Sequence, residues 1–518
     1  MDELSLALPF SAVSRIPVGI GILLLAVLGY VIYQTYFHPL AKYPGPWLGK
    51  FTEAGAAYHA VKGDLHLHIW WCHQRYGPVI RYTPNLVIFN TESGLKDIYV
   101  RGKDLRKDVH YGVIQLGTKN LLTVTSPKEH AKRSKIIGPG FSSTAMREFE
   151  PKLVEHVWKF RDALYPTKTD GGWGPPMVMS EWCSYFAFDV ITDLVFGKAC
   201  DLLGSQEHQC TVYDISGMMK RLSLLMYAPY VFLGRLDKKL FKDEVRGMKR
   251  YHRLVNNMMT DAASMSGHVL SRLTSARDSV TGRGLSDVDV YSEAAMLAVA
   301  GSDSTSVSLC ASLFYLATCP HAYSKLAHEI RSIFPSPEDI RTGPLLQQCT
   351  YLQACIKETL RISPAVAGCP YRRVEKGDTL IVDGNVIPAG CSVGTGIYSI
   401  HHNPTYFPRP DAFLPERWLD DDPLDASAAA YTPFSQGSRA CIGRHLAQME
   451  LQLALAHLVW SYDFRRPDTT AGEMGAGHRG AADVGRTNPN EFQLYDHIIS
   501  QKRGPVLQFR PRDLIHAN

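Results

Sequence analysis

The chain has 518 residues, with 55 Lys+Arg against 50 Asp+Glu for a formal charge of +5, and it is 45% hydrophobic and 20% charged. That balance excludes a disordered or collagen-like chain, and the small, dispersed positive excess argues against nucleic acid as a partner. Eleven cysteines without any CxxC pair exclude a disulfide scaffold or a zinc ribbon and point to reduced thiols in a cytosol-facing body.

No residue from Ile16 to Ala41 carries a formal charge, and Ile16–Tyr33 reads IPVGIGILLLAVLGYVIY. At about 1.5 Å rise per residue that stretch is long enough to cross the hydrocarbon of a bilayer. A cleaved signal peptide would have a shorter apolar run ending at a small-x-small site. Here the run leads into Tyr30, Tyr33, Tyr36 and Phe37, which suit an interfacial aromatic belt. Lys42, Lys50 and Lys62 follow the span and a single Arg15 precedes it, which places the body on the cytoplasmic side. The expected organisation is a lumenal segment (1–15), a transmembrane anchor helix (16–37), a proline-rich semi-rigid hinge (38–50) and one catalytic body (51–518).

Helical signals dominate the body. Strand signals gather at Val79–Tyr82, Leu86–Asn90, Thr379–Val382, Asn385–Ile387, Ser392–Gly396, Phe492–Tyr495 and Val506–Phe509. The class is mainly α with small peripheral β-sheets (α+β), unlike a doubly wound or barrel fold. Pro467–Pro489 reads as a long exposed loop, and the Gly475-x-Gly477-x-x-Gly480 match inside it lacks the strand–helix context of a dinucleotide site. His59, His66, His68 and His73 lack HExxH spacing and read as an exposed helix face; the His401–His402 pair reads as structural.

Ser286-x-x-Asp289 has the spacing of a helix start, and the apolar pattern runs from there to Thr318 before Pro320. Such a helix of about 30 residues with few charges belongs in the middle of the body. At its centre stands Ala300-Gly301-Ser302-Asp303-Ser304-Thr305, where a glycine and hydroxyls suit either a close helix crossing or a local opening. A second helix, Leu352–Ile362, sets Glu358 and Arg361 at i and i+3, within pairing reach.

The segment Phe434-x-x-Gly437-x-Arg439-x-Cys441-x-Gly443 precedes a helix from about Arg444 to Tyr462. A helix N-terminus favours a thiolate at Cys441, the glycines permit tight turning and close approach to a flat ligand, Phe434 can shield the sulfur and Arg439 adds a fixed charge.

On these residues the chain resembles the cytochrome P450 superfamily of haem-thiolate monooxygenases. Cys441 matches the axial thiolate ligand of the haem iron, Glu358-Thr359-Leu360-Arg361 the E-x-x-R helix, and Pro415-Glu416-Arg417-Trp418 the segment whose Arg417 completes a structural triad. Ala300–Thr305 resembles the oxygen-activation groove, with Asp303, Ser304 and Thr305 as its catalytic residues and Ser304 where threonine is usual. The resemblance implies a cytochrome P450 fold binding haem b, with Phe434, Gly437, Arg439, Cys441 and Gly443 around it and Arg372 (Arg373 as alternative) on a propionate. His130 stands where the family has tryptophan and Ser134 where it has arginine, so Arg133, one position earlier, is the expected substitute, with Phe141 downstream. It further implies electrons from NADPH through a separate reductase docked near Lys132, Arg133, Lys135 and Arg444, with cytochrome b5 as a second donor.

HPLAKYPGP, PFSQGSRACIGR and YDHIISQKRGP resemble filamentous-fungal members that act on terpenoids, polyketides or alkaloids in secondary-metabolite biosynthesis. The expected protein is therefore a single-pass endoplasmic-reticulum enzyme oxidising a lipophilic small molecule. The alternatives are a haem-thiolate enzyme that rearranges or dehydrates without oxygen insertion and a non-catalytic haem protein.

Overall fold

A serine cap starts the longest helix: the Ser286 hydroxyl accepts the Asp289 backbone N–H at 3.2 Å, and the helix runs over Asp287–Thr318. The computed structural model describes residues 10–101, 105–165, 172–277, 282, 284–419 and 425–512. Residues 1–9 of the expected lumenal segment and 513–518 of the body lie outside them. The long helix is apolar enough to span a bilayer, but 83% of that window is buried inside the protein, so it is the core helix. Its glycine serves a close crossing. A Cβ on Gly301 would sit 2.6 Å from Ile191 of the helix Met179–Phe196, the element most extensively packed against it.

Around this axis the remaining helices bury one large core, while the sheets lie at its edge. The strands are β1 (Val79–Thr83), β2 (Leu86–Phe89), β3 (Arg106–Lys107), β4 (Met177–Val178), β5 (Arg372–Arg373), β6 (Leu380–Val382), β7 (Asn385–Ile387), β8 (Ser392–Gly394), β9 (Tyr462–Arg465), β10 (Leu494–His497), β11 (Ile499–Lys502) and β12 (Val506–Pro511). They form a five-stranded sheet ordered β1-β2-β8-β5-β3, a three-stranded sheet β4-β12-β9, and the hairpins β6-β7 and β10-β11. Among the described residues only β2 and β8 pair in parallel. This is the mainly helical α+β architecture that the sequence suggests. The two-residue strands β3, β4 and β5 are too short for a periodic signal and β11 shows none, while β9 alternates over only four residues directly after a helix.

The anchor segment is helical from Phe10 to Ile32, beginning six residues before the expected Ile16, and closes in a π turn over Tyr33–Phe37. The window Ile20–Phe37 is only 6% buried against the body, with Leu23, Leu24 and Leu25 exposed. The hinge is no free spacer. Arg81 of β1, fully buried, donates to Gln34 O at 2.9 Å and to Pro84 O, and its own N–H bonds Pro44 O at 2.7 Å. The base of the helix and the proline segment are thereby docked on the sheet.

The expectation of an exposed histidine face is overturned. His66 and His73 are buried in the helix Leu65–Tyr76, which packs on β1 and on Ile397–His401, while His59 bonds Asp64 and His68 bonds the Tyr82 hydroxyl at 2.8 Å. Their spacing follows a packed face: His73 Nδ1 bonds Gly77 O at 3.0 Å, and His66 sits edge-on to the Tyr398 ring. The Pro467–Pro489 loop, expected to be exposed, is only about half so, and Arg486 fixes it through Gly63 O, Leu494 O and Gln493.

Glu358, in the helix Thr350–Ile362, is wholly buried and accepts five hydrogen bonds: two from Arg361, and one each from Arg417 Nε, the Trp418 indole and the Leu414 N–H, all at 2.9–3.0 Å. Burial pushes its carboxyl up, but Arg361, Arg417 and these donors outweigh it and hold the group below its ordinary value. Arg361 goes on to donate to His401 O at 2.8 Å and Ala412 O at 3.2 Å. His401 is kept neutral to about pH 3 by burial and by Arg361, so its Nδ1–H donates to Arg361 O and its Nε2 accepts the Thr432 N–H.

Glu358→Ala should strand a buried guanidinium and lower the unfolding free energy by ~3–5 kcal/mol, read from the urea midpoint; a loss below ~1 kcal/mol would contradict the network. A pH prediction follows from the imidazoles. His66 and His401 stay neutral to about pH 3 and His73 to about pH 4, whereas the free side chain protonates at 6.5. The unfolded chain therefore binds more protons over that window, and stability falls as pH drops below about 6.5. A urea midpoint that stays level between about pH 7 and pH 5 would contradict the buried imidazoles.

Candidate active site

The Cys441 loop is closed by its own backbone: Cys441 N–H donates to Phe434 O at 2.9 Å. Inside it Gly437 takes φ +73°, and a Cβ there would lie 1.9 Å from Tyr99 O. Gly437 is thus required by the turn and by contact with the Tyr99 segment. The expectation that it approaches a ligand is corrected, because Gly443 lines the cavity and Gly437 does not. The helix Arg444–Ser461 begins directly after Gly443. Its first residue, Arg444, lies 5.7 Å over the Phe434 ring, which itself lines the cavity.

Cys441 opens onto an internal cavity of about 350 Å³. Burial pushes the thiol up, opposed by the Gly443 N–H and by Arg444. The core helix contributes Ala300, Gly301, Ser304, Thr305 and Ser308 to another wall. Ser304 Oγ donates to Ala300 O at 2.7 Å, so its hydroxyl is held on its own helix with its lone pairs available as acceptors.

Asp303 is not on that wall. It is buried behind it, where Gln501 Nε2 donates to its Oδ2 at 3.3 Å and Lys502, bonded to Ser306 Oγ at 2.6 Å, supplies a positive charge. Burial raises its carboxyl, with Lys502 and Gln501 pulling it back. Thr305 does face the cavity and also bonds Glu450, a residue the sequence did not single out. Glu450 is buried with Oε2 unpartnered, and burial lifts its carboxyl well above its ordinary value, with the Thr305 hydroxyl pulling it back.

One side of the cavity is strongly cationic. Arg439 and Arg372 line it as the sequence suggests, and Lys107 of β3 joins them opposite Arg372 in the β3–β5 register. Arg439 donates to Val124 O at 2.8 Å and Thr125 O at 2.6 Å, Lys107 to Leu122 O at 2.5 Å, and Arg372 to Tyr371 O at 3.2 Å. Among the described residues none of the three meets a carboxylate. Burial and Arg372 lower Arg439 to about 10, and burial with both arginines drives Lys107 well below its ordinary value. Burial and these same cations hold the His130 imidazole neutral to about pH 4.

Arg133 belongs elsewhere. It pairs with Glu293 at 2.7 Å and Asp289 at 2.9 Å, tying its helix to the first turns of the core helix, and it does not reach the cavity lining. The triad of Glu358, Arg361 and Arg417 is assembled as expected, away from the cavity lining.

Three buried or half-buried cations with no counter-charge, around a cavity closed by a thiol, describe a site for an anionic group that takes a sulfur ligand. Haem, with an iron and two propionates, fits that donor set: Cys441 for the metal, and Arg372, Arg439 and Lys107 for the carboxylates. No group of three or more metal-ligating side chains occurs among the described residues.

A family model described as Cytochrome P450 matches residues 39–477. The chain is 40% identical over 504 residues to the cytochrome P450 monooxygenase AKT7 of Alternaria alternata, covering 93% of this chain and 96% of the relative. It is 38% identical over 509 residues to the cytochrome P450 monooxygenase poxM of Penicillium oxalicum, covering 97% and 96%. With the cytochrome P450 monooxygenase atnE of Emericella nidulans it shares 35% identity over 517 residues, covering 96% and 97%.

Replacing Lys107 with Met should speed haem transfer to apomyoglobin by about tenfold or more, the scale of one charge-assisted hydrogen bond. Arg133→Leu should leave that rate unchanged while lowering the urea midpoint. The opposite pattern would move the anion contact from Lys107 to Arg133.

Proposed function

The chain belongs to the cytochrome P450 family, and from that premise we propose that it is a membrane-anchored monooxygenase that oxidises a lipophilic small molecule in fungal secondary-metabolite biosynthesis. The observation that carries the reading is the cavity itself, which joins the Cys441 thiol, three uncompensated cations and the hydroxyl-bearing wall of the core helix. Bound haem b supplies the activation of O2.

Cys441 is the ligand to its iron, while Arg372, Arg439 and Lys107 neutralise its propionates, with His130 close to them as a neutral group. Ser304 and Thr305 present hydroxyls to the reacting side. Asp303, behind the wall, carries protons inward from the Gln501 and Lys502 side, and the buried Glu450 carboxyl stands in contact with Thr305. This acid and hydroxyl set supports oxygen insertion over rearrangement or dehydration.

Leu65, Met226, Leu297 and Ile498 make much of the remaining wall apolar, which supports a lipophilic substrate of terpenoid, polyketide or alkaloid type. The apolar Ile20–Phe37 helix supports single-pass anchoring in the endoplasmic reticulum with a cytosolic body. Electrons come from NADPH through a separate reductase, with cytochrome b5 as a second donor. Lys132, Lys135 and Arg444 are exposed toward such a partner, while Arg133 is occupied internally.

The purified chain, reduced and exposed to carbon monoxide, should give the red-shifted Soret band of a thiolate-ligated haem, and Cys441→Ala should abolish it. With a reductase and labelled O2, label should enter the product; turnover without label would favour rearrangement. Threonine at position 304 would hold its hydroxyl in fewer rotamers than serine does. Ser304→Thr should therefore lower peroxide released per substrate oxidised, and equal coupling in the two proteins would count against that role for Ser304.

A further inference from the structure

The β10–β11 hairpin does two things at once. Through Gln501 and Lys502 it holds Asp303 behind the core helix, and through Asp496 it forms part of the cavity wall. Asp496 is only 3% exposed, and its Oδ2 meets no hydrogen-bond donor among the described residues. No cation compensates it: the one charged side chain acting on it is another carboxylate, Asp64, which with burial raises it to about 6.

A turn-holding role explains only part of this arrangement. The Asp496 carboxylate accepts the N–H of Ile498, a β-branched residue held at φ +77° at the hairpin tip. That bond uses one acceptor site of a group with about four. The rest of the carboxylate is given room by glycine, since a Cβ on Gly368, itself a wall residue, would lie 2.8 Å from Oδ2. The hydroxyls of Tyr227 and Tyr371, both wall residues, bond each other, and the Tyr227 phenol feels the Asp496 charge. A polar patch of this kind in a largely apolar cavity, with acceptor capacity left over, calls for a donor from outside the protein.

Building on the monooxygenase reading, we propose that Asp496 is a specificity-determining residue that accepts a hydrogen bond from a hydroxyl or a protonated amine on the substrate, so that the enzyme acts on a lipophilic molecule already carrying such a group. The second strand of the hairpin docks on the core helix, where Gln501 bonds Asp303 and Lys502 bonds Ser306, and Asp496, on the first strand, lines the same cavity as Ser304. An unfunctionalised hydrocarbon would leave the carboxylate buried and unpaired and would be rejected for that reason. The reaction that supplies the substrate must therefore install or retain a hydroxyl or an amine before this oxidation.

The test uses the full-length holoenzyme and a ladder of 1-alkylimidazoles, whose ring binds the haem iron and shifts the Soret band while the tail extends into the cavity. At each length three tails are compared: methyl, hydroxyl and ammonium. In the wild type one chain length should bind the hydroxyl or the ammonium probe about tenfold tighter than its methyl twin. Asp496→Asn keeps an oxygen for the Ile498 N–H, so it should lose most of that preference while binding the methyl probes within about twofold of wild type. Preference for ammonium alone identifies an amine substrate, and preference for hydroxyl alone an alcohol.

Methyl-preferring binding at every length, or a preference that Asp496→Asn leaves intact, overturns the assignment. The carbon-monoxide spectrum separates the two levels: if the thiolate band is missing, the haem-thiolate reading fails and the substrate assignment fails with it. If the band is present and no tail is preferred, only the role of Asp496 fails.

Discussion

The buried carboxylate of Glu358 is the point through which the catalytic half of the molecule is held. Five donors converge on it from the Thr350–Ile362 helix and from the segment around Leu414, Arg417 and Trp418. Arg361 passes the constraint to the His401 and Ala412 carbonyls, and neutral His401 passes it to the Thr432 N–H, two residues before Phe434. The loop that presents Cys441 thus hangs from a chain of charge-assisted and backbone bonds. An isolated buried ion pair seldom adds net stability, but a fully satisfied network restricts the chain to one arrangement. Here that arrangement sets where the sulfur points.

The opposite electrostatic choice is made at the cavity. Glu358 has donors in excess, whereas Lys107, Arg372 and Arg439 are placed side by side with carbonyl and aromatic partners and, among the described residues, no carboxylate. Arg372 and Lys107 lie opposite each other in one ladder, a pairing of like charges that destabilises an ordinary sheet. Such repulsion in a desolvated place already pulls the Lys107 ammonium toward losing its proton, and an anion relieves it without that loss, so the fold is completed by the group it binds. The carboxylates follow the same logic. Asp303 is steadied by Lys502 and Gln501, whereas Glu450 and Asp496 keep unpartnered oxygens near the cavity.

Much of this was legible in the amino-acid order because the relevant signals are local. A cysteine loop with two glycines and an arginine, a Glu–Arg pair one helical turn apart and a serine-capped apolar helix each need only a few consecutive residues to be recognised. Lys107 and Glu450 were not legible. Lys107 sits in a two-residue strand whose partner is 265 positions away in sequence, and Glu450 is one acid on a helix that also carries exposed polar residues. The histidines at 66 and 73 misled for the same reason, since spacing shows which residues share a face but not what covers it. Arg133 was read as a ligand contact from its place in a motif, yet two carboxylates of the core helix had already taken its charge.

By itself the sequence determined the helical class, the apolar N-terminal span, the cysteine loop ahead of its helix and the Glu358–Arg361 pair, because each is set by covalent neighbours and by one period of secondary structure. Only the tertiary structure decided which charges are paired and which are left open to the cavity. It moved Asp303 behind the wall, turned Arg133 away, brought Lys107 in beside Arg372, and placed Asp496 against Gly368 with an oxygen to spare. The physical reason is that the state of a charge depends on burial and on partners distant in sequence, and neither is fixed until the chain has packed.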